Sequence, residues 1–159
     1  DVSTTGDASQ YMFVDNNGNL WMQPLSDRGL YRVMPNSNAA ERFSIPSQFV
    51  FRYMLPMPGN TRALVSYEDR NGLGFFDPSQ PIAAAFQDLV TLPDGVHSIE
   101  LSRDGSTAYY VTGPVPVSGG NRLKAVNLST GAITDLGYVN GQVLVAGRTH
   151  ILIEGKVRL

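Results

Sequence analysis

A glycine-anchored turn followed by a strong apolar strand recurs four times along the 159-residue chain. The four copies are GDASQYMFV from Gly6, GNTRALVSY from Gly59, GSTAYYVTG from Gly105 and GRTHILIEG from Gly147. Their anchors lie 53, 46 and 42 residues apart. Repeats of this length are typical of proteins in which similar structural units stack on their neighbours to bury a shared core.

Each repeat holds further short strands around the anchored one. Runs rich in Val, Ile, Tyr, Phe and Leu are separated by Gly, Pro, Asn and Asp, which is the pattern of an all-β protein. Two runs follow the anchored strand, such as LGFFDPS and AFQDLV, and an inner run precedes it, such as SIELS or QVLVA. Four strands in about 45 residues match one blade of a β-propeller.

The alignment also assigns a structure to individual segments. It makes QYMFV the second strand of the first repeat, with only a short stub before Gly6. PIAAAFQDLV, from Pro81 to Val90, is the best helix candidate, and a single turn or a strand fits it equally well. The aromatic residues on strands are expected in the core, and these are Trp21, Phe75, Phe76, Tyr109 and Tyr110.

The third repeat resembles a known group of proteins. The run HSIELSRDGSTAYYVTG, continued by NRLKAVNLSTGAITDL, resembles a blade of the large bacterial propeller group with lactonase-like, quinoprotein-like and TolB-like repeats. The shared features are an inner apolar strand, a Ser-x-Asp-Gly turn, an aromatic second strand and an NLSTG turn. We therefore predict an all-β chain, a β-propeller segment of about three and a half four-stranded blades. A β-sandwich of about twelve strands is the alternative.

Composition limits the classes of partner. The chain has 12 basic and 14 acidic residues, a net charge of −2 and no basic cluster, so a nucleic-acid surface is not indicated. Its apolar runs are far shorter than the ~20 residues that span a bilayer. It has no cysteine, which excludes disulfides and cysteine metal sites within it. The compartment stays open, with the bacterial periplasm, cell surface or secretion favoured.

His97 and Glu100 are the candidate ligand residues. The resemblance implies that a residue just before the innermost strand, here His97, faces the central channel. Alternation along the strand places Ser98 and Glu100 on one face and Ile99 and Leu101 on the other. An acid on an innermost strand can point into a channel, while a solvated or paired acid is the structural alternative. Neither residue has a catalytic partner in the sequence.

The sequence also contains candidate metal ligands and a candidate interaction loop. His150 lies in a strand away from the axis and should not meet His97, so no metal site and no cofactor are predicted. DNNGN, from Asp15 to Asn19, resembles the start of a calcium loop, but its Asn-Gly pair between strands favours a hairpin turn. The best candidate for an interaction loop is the insertion containing Pro114, Val115, Pro116, Val117 and Ser118.

Three functions are compatible with this pattern. The favoured one is a non-enzymatic protein-interaction or assembly module, because no catalytic set is visible and an incomplete ring leaves open sheet faces and edges. Its partner would be another protein chain or further copies of itself completing the propeller. One alternative is a segment of a propeller enzyme of lactonase, hydrolase or quinoprotein type, with its site at the channel. The other is a carbohydrate-binding or adhesion β-sandwich. Residues 1–159 are expected to form a single all-β domain or a segment of a larger propeller.

Overall fold

The computed structural model describes residues 11–24, 29–46, 50–67, 71–112, 121–139, 141–146 and 151–155. Over these residues the chain forms fourteen β-strands and one short 3-10 turn, which confirms the all-β prediction. The chain divides into two compact units, residues 1–88 and 89–159. No helix in the described part of the chain has the length and apolarity needed to cross a membrane.

The strands form three four-stranded antiparallel meanders and one hairpin. The first sheet contains β1 (Tyr11–Val14), β2 (Leu20–Gln23), β3 (Leu30–Val33) and β4 (Ala40–Phe43). The second contains β5 (Phe51–Pro56), β6 (Ala63–Tyr67), β7 (Gly72–Phe76) and β8 (Phe86–Thr91). The third contains β9 (Ser98–Leu101), β10 (Thr107–Val111), β11 (Asn121–Asn127) and β12 (Ile133–Val139). The hairpin pairs β13 (Gly141–Ala146) with β14 (Ile151–Gly155).

The alignment of the first repeat is wrong by one strand. YMFV is β1, the first strand of its sheet, and it packs beside β5, the first strand of the second sheet. The turn after β1 pairs it with LWMQ, and no described strand precedes it in the sheet. The fourth strand, AERF, went unrecognised because it is short and carries two charged residues. The PIAAAFQDLV run forms one 3-10 turn, Ile82–Ala84, and then continues as β8.

An aromatic cluster joins the first two sheets. The Trp21 ring meets the Phe76 ring edge to face at 5.0 Å, and Phe76 stacks on Phe86 at 5.2 Å. Aromatic pairs in these geometries contribute about 0.5–1.5 kcal/mol beyond the area they bury. The buried side chain of Gln23 adds a polar link, because its Oε1 accepts a hydrogen bond from the backbone N–H of Phe51 at 2.7 Å.

Most of the predicted core residues are buried. Ile99, on the first strand of the third sheet, is 3% exposed, while Leu101 in the same strand is only half-buried. The two residues that alternation places on one face of the strand are therefore buried to different extents. Of the five aromatic residues expected in the core, Tyr109 is half-buried and the rest are buried: Trp21, Phe75, Phe76 and Tyr110.

The β9–β10 turn is built by its own polar side chains. Gly105 has φ of 70°, and its N–H donates to the Ser102 carbonyl at 2.9 Å. The Asp104 carboxylate accepts hydrogen bonds from the backbone N–H of Ser106 and from the hydroxyls of Ser102 and Ser106. These bonds, the Ser106 N–H first among them, lower the pKa of Asp104 to about 2. The Ser-x-Asp-Gly turn noted in the sequence is thus a tight turn with a positive φ at Gly105.

Gly74 in β7 fills a position that no larger residue can occupy. A Cβ at Gly74 would overlap the Tyr67 hydroxyl and lie 2.5 Å from the Gln87 carbonyl oxygen. The backbone of β8 cannot move away without breaking its pairing with β7. At Gly29 the crowding differs in kind, since a Cβ there would meet only the tip of the Arg42 side chain.

Candidate functional site

One candidate ligand residue, His97, directly precedes β9, and the other, Glu100, is the third of its four residues. The backbone N–H of His97 donates to the Val111 carbonyl at 2.8 Å, which extends the ladder between β9 and β10 by one residue. The side chains of His97 and Glu100 are half-buried. Burial raises the pKa of the Glu100 carboxyl, and a hydrogen bond from the backbone N–H of Leu101 partly offsets this rise.

The other predicted sites have different outcomes. Among the residues that the structure describes, no three His, Asp or Glu side chains lie close enough to hold a metal ion. The insertion with Pro114, Val115, Pro116, Val117 and Ser118 lies outside the described residues, and so does His150. DNNGN forms the hairpin turn between β1 and β2, as the Asn-Gly pair predicts.

A cleft of about 320 Å³ lies where three turns of the first two sheets meet. The three are the β1–β2 turn at Asp15–Asn17, the β5–β6 turn at Asn60–Arg62 and the β7–β8 connection at Asp77–Ser79. They share one end of the sheets because, in an antiparallel meander, the connections after the first and third strands lie at the same end of the strands. This space is called the turn cleft below.

Asp15 stabilises the β1–β2 turn, which forms the first wall of the turn cleft. Its Oδ1 accepts from the backbone N–H groups of Asn17 and Asn19, each at 2.9 Å. Its Oδ2 accepts from the Asn19 amide and from Trp21 Nε1, also at 2.9 Å. Burial raises the pKa of Asp15, but the hydrogen bonds from Trp21, Asn19 and Asn17 together lower it below its ordinary value. The carboxylate is therefore charged at neutral pH, and its oxygens are occupied.

A backbone hydrogen bond ties the first turn to the second. The N–H of Asn16 donates to the Asn60 carbonyl at 3.1 Å. The β5–β6 turn is closed by two more such bonds, from Asn60 N–H to Met57 at 2.8 Å and from Met57 N–H to Arg62 at 3.0 Å. Asn60 adopts φ of 52°, a conformation that asparagine tolerates better than most residues. The cleft walls are thus fixed by the backbone.

One cation and one anion line the rest of the cleft. The Arg62 guanidinium carbon lies 4.1 Å from the centroid of the Phe75 ring, which is buried. The Asp77 Oδ1 accepts from the Ser79 N–H at 2.9 Å and from its hydroxyl at 2.6 Å. The Asp77 N–H in turn donates to the Ala85 carbonyl at 2.8 Å. Both charged side chains are therefore oriented by neighbours.

Sequence reasoning identified one wall of this cleft and missed two. It recognised the DNNGN turn but gave no role to Arg62 or Asp77. The available signal was the recurrence of turns rich in Asn, Asp or Ser after the first and third strands, as in DNNGN, PGNTR and DPSQ.

The first sheet also has an exposed apolar face. Phe13 of β1 is 1% exposed and faces the core, while Met12 and Val14 on either side of it are 54% and 47% exposed. The register places Met12 opposite Met22 and Val14 opposite Leu20. Half-buried apolar side chains on β2 and β3 continue this surface, namely Leu20, Met22, Tyr31 and Val33. These six residues are called the Met12 face.

Comparison with known proteins defines the fold. No protein-family model matches the sequence, and no curated protein sequence matches it either. Three solved structures illustrate the structural matches. TolB from Acinetobacter baumannii aligns with a TM-score of 0.62 and 12% identity, over 86% of this chain and 34% of TolB. Virginiamycin B lyase from Staphylococcus aureus aligns at 0.62 and 15%, over 92% and 48%. The Cps50 (Swd1) β-propeller domain from Myceliophteria thermophila aligns at 0.64 and 11%, over 94% and 51%.

The fold is a partial β-propeller. Its three four-stranded sheets correspond to about three blades, and the sandwich alternative finds no support. The chain spans between 34% and 51% of the length of the three structures. At identities of 15% or less these matches establish the propeller fold alone, and the family within it is unresolved.

Proposed function

We propose that this propeller chain is a non-enzymatic protein-interaction or assembly module. In this proposal the Met12 face binds a further four-stranded sheet, supplied by another chain or a further copy of this one. The observation that carries the proposal concerns the two sides of the first sheet. One side is packed against the second sheet, while the other is apolar, with Met12 and Val14 exposed and the remaining residues of the Met12 face half-buried.

The chemistry of the Met12 face favours a sheet as its occupant. In a propeller each blade packs its two faces against neighbouring blades. The Met12 face carries aliphatic, methionine and tyrosine side chains in register across three strands. Contiguous exposed apolar surface of this kind marks interaction sites in soluble proteins. An apolar face of another β-sheet, stacked about 10 Å away, matches it in shape and polarity.

Sedimentation equilibrium on the chain tests the proposal with a second copy as the partner. We expect concentration-dependent association, weakened at least tenfold by the double substitution Met12→Lys and Val14→Lys. The matched control is Leu136→Lys, because Leu136 on β12 is 49% exposed and lies outside the Met12 face. Circular dichroism verifies that each variant folds. A wild-type chain that stays monomeric at high micromolar concentration contradicts assembly from copies, and so does equal weakening by Leu136→Lys.

A propeller enzyme segment is the second candidate. The observation that favours it is a half-buried acid with a raised pKa, Glu100, on the strand that His97 directly precedes. Perturbed acids of this kind are enriched at functional sites. Hydrolysis of a lactone or p-nitrophenyl ester by the chain, abolished by Glu100→Gln and by His97→Ala, would support this candidate. Lack of any such hydrolysis leaves the assembly module as the better account.

A further inference from the structure

The turn cleft holds two opposite charges that do not neutralise each other. Within the described residues, no ion pair joins Arg62 to Asp77, although both line the same space. Within the described residues, the Arg62 guanidinium contacts the Phe75 ring. The Asp77 Oδ1 binds Ser79, and no described residue donates a hydrogen bond to its Oδ2.

The third charged group of the cleft is already satisfied. Asp15 receives four hydrogen bonds, two on each carboxylate oxygen. Its lone pairs are therefore used, so a ligand finds no open acceptor there, while its negative charge remains and favours the cationic end of a ligand. The groups left for recognition are one guanidinium and one carboxylate oxygen.

The surroundings of these two groups are polar and held in place. The cleft is also lined by Asn17, Asn60, Thr61 and Ser79, which supply amide and hydroxyl groups. The turns that carry the lining are closed by backbone hydrogen bonds, and the Asn16–Asn60 bond connects two of them. Arrangements fixed before binding reduce the entropy cost of ordering a site around its ligand.

We propose that the turn cleft binds a small zwitterion, that is, a molecule carrying one carboxylate and one ammonium group. The planar guanidinium of Arg62 is suited to bind a carboxylate through two parallel hydrogen bonds. The Asp77 carboxylate accepts a hydrogen bond from the ammonium group. The site is distinct from the Met12 face, so this inference does not depend on the assembly role.

Charge balance selects this class over simpler ions. A monocarboxylate that pairs with Arg62 also meets the negative charge of Asp77, and a primary amine that pairs with Asp77 meets the positive charge of Arg62. A zwitterion gains both attractions, and these offset the repulsion that each of its ends meets in the cleft. At close range each such interaction is worth several-fold in affinity, even in a solvent-screened site.

Titration calorimetry with a length series tests the inference. The probes are glycine, β-alanine, γ-aminobutyrate and 6-aminohexanoate, in which the two charges lie progressively further apart. Acetate and propylamine are the single-charge references. We expect at least one member of the series to bind tenfold or more tightly than both references. A series in which no member exceeds acetate and propylamine overturns the inference.

Two substitutions in the cleft separate the roles of the charges. Arg62→Gln should weaken both the best zwitterion and acetate at least tenfold. Asp77→Asn keeps the oxygen that accepts from Ser79, and it should weaken the zwitterion while strengthening acetate or leaving it unchanged. The matched control is Arg103→Gln, which removes an exposed arginine in the β9–β10 turn and should change nothing.

Two further controls distinguish loss of binding from loss of folding. Arg62→Lys keeps the positive charge, so it should bind acetate better than Arg62→Gln does. Thermal melts followed by circular dichroism establish that each variant is folded before titration. Unchanged zwitterion binding in folded Arg62→Gln, or an equal loss in Arg103→Gln, contradicts the assignment.

Discussion

Replacing Asp15 by asparagine tests the hydrogen bonds that hold the β1–β2 turn. All four groups that point at the Asp15 carboxylate are N–H donors. An asparagine presents one oxygen and one NH₂ group, so in either orientation its NH₂ faces two donors. Two hydrogen bonds to a charged acceptor are lost, each worth about 1.5–3 kcal/mol. Because the Asn19 side chain can turn to solvent, we expect a loss of about 3 kcal/mol in the free energy of unfolding.

The contribution of Trp21 can be isolated with a double-mutant cycle. Trp21→Phe removes the indole N–H that donates to Asp15 Oδ2, so one of the opposed donors is gone. Asp15→Asn should then cost less by about 1 kcal/mol than it does in the wild-type background. Urea unfolding at neutral pH, followed by circular dichroism, gives the four free energies. Equal costs in the two backgrounds would refute the role assigned to this hydrogen bond.

The pH dependence gives the same prediction a second readout. The pKa of Asp15 is lowered in the folded chain, so its carboxylate stabilises the fold above the ordinary aspartate pKa of about 4. This stabilisation is lost as the pH falls through the lowered value. The urea midpoint should therefore drop below pH 4 more steeply for the wild type than for Asp15→Asn. Parallel pH profiles would contradict the hydrogen-bond account.

Three further experiments test other parts of the fold. Gly74→Ala should lower the melting temperature far more than Gly29→Ala, because it meets a buried hydroxyl and a backbone carbonyl rather than a flexible side-chain tip; similar shifts would contradict this. Ile99 is 3% exposed, so Ile99→Ala should lower the free energy of unfolding by about 2–4 kcal/mol. His97→Ala should lower it by only about 0.5 kcal/mol. Equal costs would make His97 a core residue. Gly105→Val should cost at least ~1 kcal/mol because φ is positive there, and a neutral result in a urea melt would refute the turn geometry.

Local chemistry made the strands and turns predictable. The Asp104-Gly105 and Asn17-Gly18 pairs specify turns by their own side chains and φ preferences, so the hairpins around them could be read directly. The first repeat was misaligned because GDASQ resembles the anchor turn of the other repeats, whereas YMFV begins its own sheet. The polar strand AERF has no apolar alternation to mark it.

The sites depend on packing, which the sequence does not display. Asp15 lies 47 residues before Arg62, and Asp77 lies 15 residues after it. The three meet only because two sheets stack with their turns at one end. The strand YMFV is apolar on both sides, so its alternation cannot tell that Phe13 is covered and Met12 exposed. His97 and Glu100, by contrast, were located correctly relative to β9 because their positions follow from the adjacent hairpin.

The position of Trp21 gives the chain an intrinsic optical probe. It is the single tryptophan, it is 3% exposed, and it belongs to the compact unit formed by residues 1–88. Its fluorescence reports the environment of that unit alone, while the far-ultraviolet signal averages over strands of both units. Comparing the two signals during unfolding shows whether the units lose structure in one cooperative step or in two. One native residue therefore suffices to measure how strongly the halves of this partial propeller depend on each other.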